Sequence, residues 1–180
     1  MPGGALASAR LRGKSSVRAG NSPALGPKFH PPIGRAGIVT RTALIERMIA
    51  SESPVITLVA PPGYGKTTVL AQWVERLRPR VAWVSCDKTD NDPTALWTAV
   101  ATAIGAVAQL GQAASQLLAA RGGTIGIVPA FVTAIERIGP PMTIVLDHVE
   151  QISSRESHAA LAEFAMRVPG GWQLAMASRV

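Results

Sequence analysis

"VITLVAPPGYGKTTVL", residues 55–70, joins an apolar β-branched run to a turn with two glycines and then to a stretch with helical spacing. The pattern predicts a buried strand over 55–60, a loop, and a helix that begins at Lys66. Such a corner directs backbone N–H groups and the positive end of the helix dipole at one point, which favours an anion. We therefore predict a phosphate-binding loop with the contact residues Pro62, Gly63, Tyr64, Gly65, Lys66, Thr67 and Thr68.

The loop follows the spacing G-x-x-x-x-G-K-[ST] except that Ala60 occupies the first glycine position. Alanine is acceptable there if its backbone φ is negative. In this motif the ammonium group of Lys66 reaches the β- and γ-phosphates, and the hydroxyl of Thr67 helps to hold Mg²⁺. The expected ligands are therefore ATP and Mg²⁺, with Thr67 near the metal.

The rest of the chain alternates between short apolar runs and helical patterns. Three further strands are predicted, over 81–86, 142–147 and 172–179. Helical patterns cover 94–120, with a break near Gly111, a short stretch with Pro129 in its first turn, and 155–168. This alternation predicts an α/β fold, in which a parallel sheet carries helices on both faces as a three-layer sandwich.

Two charged side chains stand at predicted strand ends. Asp147 follows "TIVL" at the end of the third strand, where a carboxylate can organise Mg²⁺ through its water shell. Arg179 ends the fourth strand, where a guanidinium can approach the γ-phosphate. Because ligands of parallel sheets bind at the carboxyl ends of the strands, both residues are site candidates, Asp147 also as a metal ligand.

Composition restricts the class of protein. The net charge is +7, but residues 1–30 carry five basic and no acidic side chains, and the remainder carries thirteen basic and eleven acidic ones. A nearly balanced folded part implies no nucleic-acid groove, and the Gly-, Ser- and Pro-rich tail 1–27 is predicted to be disordered. No apolar run approaches the roughly 20 residues of a membrane helix. The single cysteine, Cys86, favours a reducing, cytoplasmic location.

"APPGYGKTT", "VAWVSCDKTDNDPTALW", "IVLDHVEQI" and "ASR", in this order, resemble the nucleotide-binding region of the large ATP-binding LuxR-family transcriptional regulators of the maltose-activator type. These belong to the STAND class of AAA-like P-loop ATPases, and the resemblance covers about residues 27–180. It implies the P-loop NTPase sheet order 2-3-4-1 and slow ATP hydrolysis. It also implies that Asp147 organises the metal, that Arg179 senses the γ-phosphate, and that residues around Arg35 to Arg41 lie near the adenine.

The chain departs from that family in two ways. The family has a second acid directly after the first, but here the position holds His148. A neutral imidazole is a poor substitute for a carboxylate base, and Glu150 would lie on the same side as His148 if the chain continued extended. Glu150 therefore joins Asp147 and Arg179 as a catalytic candidate.

The second departure is length, because members of the family continue into a helical-repeat sensor region and a helix-turn-helix. Residues 28–180 are therefore expected to be the N-terminal part of a P-loop ATPase domain. The fifth strand of related sheets is expected to be missing, which would leave 55–60 as an exposed apolar edge.

The leading hypothesis is an Mg-ATP-binding switch domain of a LuxR-type regulator with slow or absent hydrolysis. Its expected partners are ATP or ADP and either further copies of itself or the missing C-terminal regions, without direct DNA contact or a membrane. Two alternatives are a P-loop ATPase with robust turnover and a degenerate, non-hydrolysing interaction fragment. The acid-rich stretch "DKTDND", 87–92, is expected to be a solvated loop.

Overall fold

A computed structural model describes residues 25–33, 37, 39–77, 80–108, 126–137 and 141–180. Most of the predicted tail and the predicted break near Gly111 lie outside the described residues. The strands are β1 (Val55–Val59), β2 (Val81–Ser85), β3 (Thr143–Asp147) and β4 (Gln173–Ser178). The helices are α1 (Thr42–Ile49), α2 (Lys66–Leu77), α3 (Pro93–Val107), α4 (Ile127–Glu136) and α5 (Arg155–Ala165). Three 3₁₀ turns cover Pro27–Phe29, Lys88–Asn91 and Val149–Gln151.

The four strands form one parallel sheet in the order β1-β4-β3-β2. Read from the other edge, this is the predicted order 2-3-4-1, so the predicted topology is confirmed. Parallel neighbours need a crossover connection, which is why helices separate the strands along the chain. All four strands consequently end at the same edge of the sheet, and the loops at that edge lie side by side.

Helices cover both faces of the sheet, which confirms the three-layer prediction. On one face, α1 and α2 bury Ile45, Leu70 and Trp73 against the sheet. On the other, α3, α4 and α5 contribute an aromatic cluster in which the ring of Trp97 lies 4.8 Å from that of Phe131 and 5.0 Å from that of Phe164. None of the helices that the structure describes is both long enough and apolar enough to cross a membrane.

Strand β1 lies at the edge of the sheet, and among the described strands it pairs only with β4. The prediction that it is buried on both faces is wrong, because Thr57 is exposed and Val59 is 60% exposed. The β-branched run therefore predicted the strand correctly but not how far it is buried. The prediction of an exposed apolar edge is confirmed for the described residues.

An edge strand of this kind should promote self-association, because its free N–H and C=O groups can pair with another chain. We expect Thr57→Lys to reduce oligomers of the 180-residue chain, since an edge lysine opposes strand pairing. Size-exclusion chromatography with light scattering measures this. The matched control is Thr98→Lys on the exposed face of α3. Equal association of both variants and the unmodified chain would show that β1 is not the contact.

Candidate functional site

The corner between β1 and α2 is shaped by two glycines and the start of a helix. Gly63 and Gly65 adopt φ angles of 81° and 78°, a left-handed backbone that other residues rarely take. Helix α2 starts at Lys66, and its first turn is closed by the amide of Val69, which donates to the carbonyl of Gly65 at 2.9 Å. Ala60 does not have a positive φ. Alanine is therefore compatible with the first position of the motif.

The side chain of Lys66 lies over the same corner. Its Nζ atom donates to the carbonyl oxygen of Ala60 at 2.6 Å and to that of Pro61 at 3.0 Å. The loop thus carries a fixed positive charge beside the amino end of a helix, and both features attract anions.

Asp147, at the end of β3, is joined to the start of α2. The Thr67 hydroxyl donates to Oδ1 of Asp147 at 3.1 Å, and the amide of His148 donates to the same oxygen at 3.0 Å. Asp147 is only 2% exposed, and its Oδ2 atom accepts no hydrogen bond from a described residue, although Nε2 of His148 lies 3.5 Å away. A buried carboxylate oxygen without a donor is costly unless a ligand satisfies it.

Thr67 and Asp147 fit Mg²⁺ better than a metal that is held by protein ligands alone. No cluster of three or more His, Cys, Asp or Glu side chains capable of holding a metal occurs among the described residues. Mg²⁺ usually takes one or two protein ligands and completes its shell with waters and phosphate oxygens. The Thr67 hydroxyl and Oδ2 of Asp147, which accepts no hydrogen bond from a described residue, supply that kind of partial donor set.

Glu150 and Arg179 bind each other. The Nε atom of Arg179 lies 2.9 Å from Oε1 of Glu150, and the backbone amide of Arg179 donates to Oε2 at 3.2 Å. The Nδ1 atom of His148 lies 3.4 Å from Oε1 of Glu150. The chain does not continue extended after Asp147: His148 has a left-handed φ of 58°, and 149–151 form a 3₁₀ turn. That turn still brings Glu150 beside His148.

Burial and hydrogen bonding act in opposite directions on Glu150. Burial favours the neutral acid, but bonds from its own backbone amide, from His148 and from the amide of Arg179 outweigh it. The result is a lowered pKa for Glu150, so its carboxylate is ionised at neutral pH.

Nearby, burial first and the charge of Asp90 second raise the pKa of the Cys86 thiol to about 12. That thiol is protonated at neutral pH and is not a nucleophile.

The sheet brings the predicted site residues to one edge. The amide of Ala60 donates to Ser178 at 3.4 Å, next to Arg179, and the amide of Cys86 donates to the carbonyl of Asp147 at 2.8 Å. A cleft of about 160 Å³ opens on the loop and is named here the Tyr64 cleft. Of the residues expected near adenine, Arg35 lies outside the described residues, whereas Arg41 lines this cleft. Its lining comprises Val39, Arg41, Gly63, Tyr64, Gly65, Thr68 and Val69.

Sequence reasoning missed a second polar centre, the turn 87–92. It was expected to be solvated, but Asp90 is fully buried. Oδ1 of Asn91 accepts hydrogen bonds from the amide of Ser153 at 2.7 Å and from that of Ser154 at 2.8 Å. The acid at 87 followed by an acid at 90, the spacing of a capping box, was the available signal. The turn therefore fixes the loop that carries Glu150.

A parallel sheet with a glycine-lysine-threonine corner at one strand and a buried aspartate at another defines a P-loop nucleotide-binding domain. Residues 31–176 match the AAA ATPase domain family, and the chain belongs to that family.

Two curated relatives show where such a domain occurs. The chain is 29% identical, over 84% of its length, to the HTH-type transcriptional regulator MalT of Yersinia enterocolitica. It is 27% identical, over 77% of its length, to the serine/threonine-protein kinase PknK of Mycobacterium tuberculosis. The chain spans only 17% and 13% of these two proteins. The solved structure of C. elegans PCH-2 aligns with 77% of this chain, and the alignment covers 34% of the PCH-2 chain. The sequence identity is 16% and the TM-score is 0.35, so this likeness adds nothing to the fold assignment.

The lowered pKa of Glu150 predicts a pH dependence of stability. Because the pKa of Glu150 is lower in the folded chain than its ordinary value of 4.5, folding is favoured above that pH. This contribution is lost as the pH falls through the folded-state pKa. We expect Glu150→Gln to flatten the decline of the melting temperature on the acid side of pH 4.5. The matched control is Glu52→Gln on an exposed loop, and an equally steep decline in Glu150→Gln would contradict the assignment.

Proposed function

We propose that this domain binds Mg-ATP and acts as a nucleotide-dependent switch. The observation that carries the proposal is the contact between Thr67 and Asp147 beside the Lys66 corner. Lys66 would exchange the loop carbonyls for phosphate oxygens, and Thr67 with Asp147 would hold Mg²⁺. The metal, when bound, would neutralise charge on the phosphates.

The Tyr64 cleft suits the base end of the nucleotide. Tyr64 and Val39 are 58% and 79% exposed, which offers apolar surface beside the phosphate loop. Flat bases bind against such surfaces, and Arg41 in the same cleft supplies a charged group. We infer that the adenine lies here and that Pro62, Gly63, Gly65 and Thr68 contact the phosphates through the loop.

Hydrolysis is proposed to be slow or absent. The position after Asp147 holds an imidazole, and the carboxylate of Glu150 is engaged by Arg179 at 2.9 Å. A general base must be free to accept a proton from the attacking water. We therefore assign Glu150 and Arg179 to sensing the γ-phosphate, with Asp147 as the metal-organising acid. Robust turnover is the less favoured function.

The larger protein context is also part of the proposal. Similarity to MalT favours a STAND-type, LuxR-family transcriptional regulator that acts in the cytoplasm. This chain would then supply the nucleotide switch without contacting DNA. Partners would be ATP or ADP and either other copies of the domain or further regions of a longer protein. Strand β1, paired on one side only among the described strands, offers an edge for such contacts.

Nucleotide binding is tested by Lys66→Ala. The loss of a charged hydrogen-bond donor at the phosphates should weaken Mg-ATP binding by roughly 10- to 100-fold. Isothermal titration calorimetry measures the affinity. The control is Arg167→Ala, an exposed cation that follows α5 and pairs with Glu163 at 3.3 Å. Equal affinity of Lys66→Ala and the unmodified chain would remove the phosphate-loop assignment.

Slow hydrolysis is tested by restoring an acid at position 148. The unmodified chain should release phosphate well below about 1 s⁻¹, the lower end of typical turnover. His148→Asp should raise the rate at least about tenfold, because aspartate tolerates a left-handed backbone and can act as a base. A coupled phosphate-release assay follows both, with His148→Asn as the matched control that lacks the charge. Turnover of several per second in the unmodified chain would instead favour the ATPase alternative.

A further inference from the structure

Lys28 forms ion pairs with two acidic side chains of the turn 87–92. Its Nζ atom lies 2.9 Å from Oδ2 of Asp87, and 2.9 Å and 2.8 Å from the two carboxylate oxygens of Asp90. The Asp90 side chain is 1% exposed and that of Lys28 is 23% exposed. A pair that engages a buried carboxylate through both oxygens is held far more firmly than a surface pair.

The acidic partners of Lys28 sit on a rigid base. Asp90 accepts a hydrogen bond from the amide of Asp87 at 2.8 Å, and Asp87 accepts one from the amide of Thr89 at 2.8 Å. The same turn is attached to the loop after β3 through Asn91 and Ser153. Lys28 is therefore tied to a fixed point of the fold, and the chain around it is fixed as well.

The chain around Lys28 forms one wall of a second cleft. This cleft, named here the Asp147 cleft, has a volume of about 720 Å³. Phe29 packs against the hydrophobic core, and Pro31 and Pro32 restrict the backbone that follows. Thr67 and Asp147 line the opposite side of the cleft, where α2 starts and β3 ends.

We propose that Lys28 is a positioning residue for the nucleotide. By binding Asp87 and Asp90 it holds 27–33 as the outer wall of the Asp147 cleft, opposite Thr67 and Asp147. This inference rests on the proposed function, in which Thr67 and Asp147 hold Mg²⁺ beside the phosphates. A metal held there would bridge the β- and γ-phosphates, so the wall would face the phosphate that ATP has and ADP lacks. Loosening it should therefore weaken ATP binding more than ADP binding.

The experiment compares Lys28→Met with the unmodified 180-residue chain. Titration calorimetry measures the Kd for Mg-ATP and for Mg-ADP, and amide hydrogen exchange follows Phe29 and His30. We expect Mg-ATP to bind about fivefold more weakly or worse, at the low end of coupling between separate sites, and Mg-ADP to change less. The amides should exchange faster. Arg167→Met, which removes an exposed cation after α5, should change neither Kd.

Two results would overturn the inference. One is unchanged Mg-ATP affinity in Lys28→Met. The other is an equal loss for ATP and ADP together with a lower melting temperature, because that pattern indicates general destabilisation. If Lys28→Met does not fold, Asp87→Asn replaces it, since asparagine can still cap the turn but lacks the charge that binds Lys28. The same loss, smaller but selective for ATP, is expected there, and its absence overturns the inference.

The outcome for Lys28 is separable from that for the proposed function. If the unmodified chain binds neither nucleotide, the proposed function fails and the positioning role fails with it. If the unmodified chain binds Mg-ATP and Lys66→Ala weakens that binding while Lys28→Met does not, only the positioning role fails.

Discussion

The hydrogen bond from the Thr67 hydroxyl to Asp147, 3.1 Å long, connects the start of α2 with the end of β3. In the sheet order β1-β4-β3-β2, strand β4 separates β3 from the strand that leads into the loop. The contact therefore exists only if both crossovers place their strands correctly and all strands end at one edge. The hydrogen bond joins Thr67, which follows the loop lysine, to the buried Asp147. The order and alignment of the strands therefore determine both the fold and the candidate site. Any change that shifts β3 along β4 would separate these two groups and leave Asp147 with one hydrogen bond fewer in a buried position.

The strands were predictable because each is a short apolar run, and no observed strand end differs from the predicted one by more than one residue. The burial of the strands was harder to predict, because β1 has the composition of an interior strand but lies at the edge of the sheet. Local patterns also identified the loop, because its glycines, lysine and threonine are consecutive in the chain. The turn 87–92 was misread for the opposite reason. Its partners, Lys28 and Ser153, are about sixty residues away on either side, and an acidic stretch looks solvated when those partners are unknown.

His148 accounts for the remaining difference between expectation and structure. An extended continuation would have kept alternate side chains on one side, but His148 turns left-handed at φ 58°. Histidine, like asparagine and aspartate, takes this conformation more readily than most residues. The turn ends β3 at Asp147 and folds 149–151 back toward β4. Glu150 therefore meets Arg179, which follows β4, and the residue at position 148 shapes the site through its backbone as well as its ring.

The contacts between Glu150 and Arg179 bear on the proposed role of the guanidinium as a phosphate sensor. The printed contacts of Arg179 with Glu150 are an ion pair through Nε and a hydrogen bond donated by the backbone amide. The four donors on the two terminal nitrogens are outside this pair. Glu150 thus orients the guanidinium plane, because its two oxygens fix both the side chain and the backbone of Arg179. A γ-phosphate near these terminal nitrogens would add to the ion pair instead of competing with it. A Glu150 that moved away from Arg179 would lose its contacts with both Nε and the backbone amide. This asymmetry favours sensing over proton abstraction as the role of the pair.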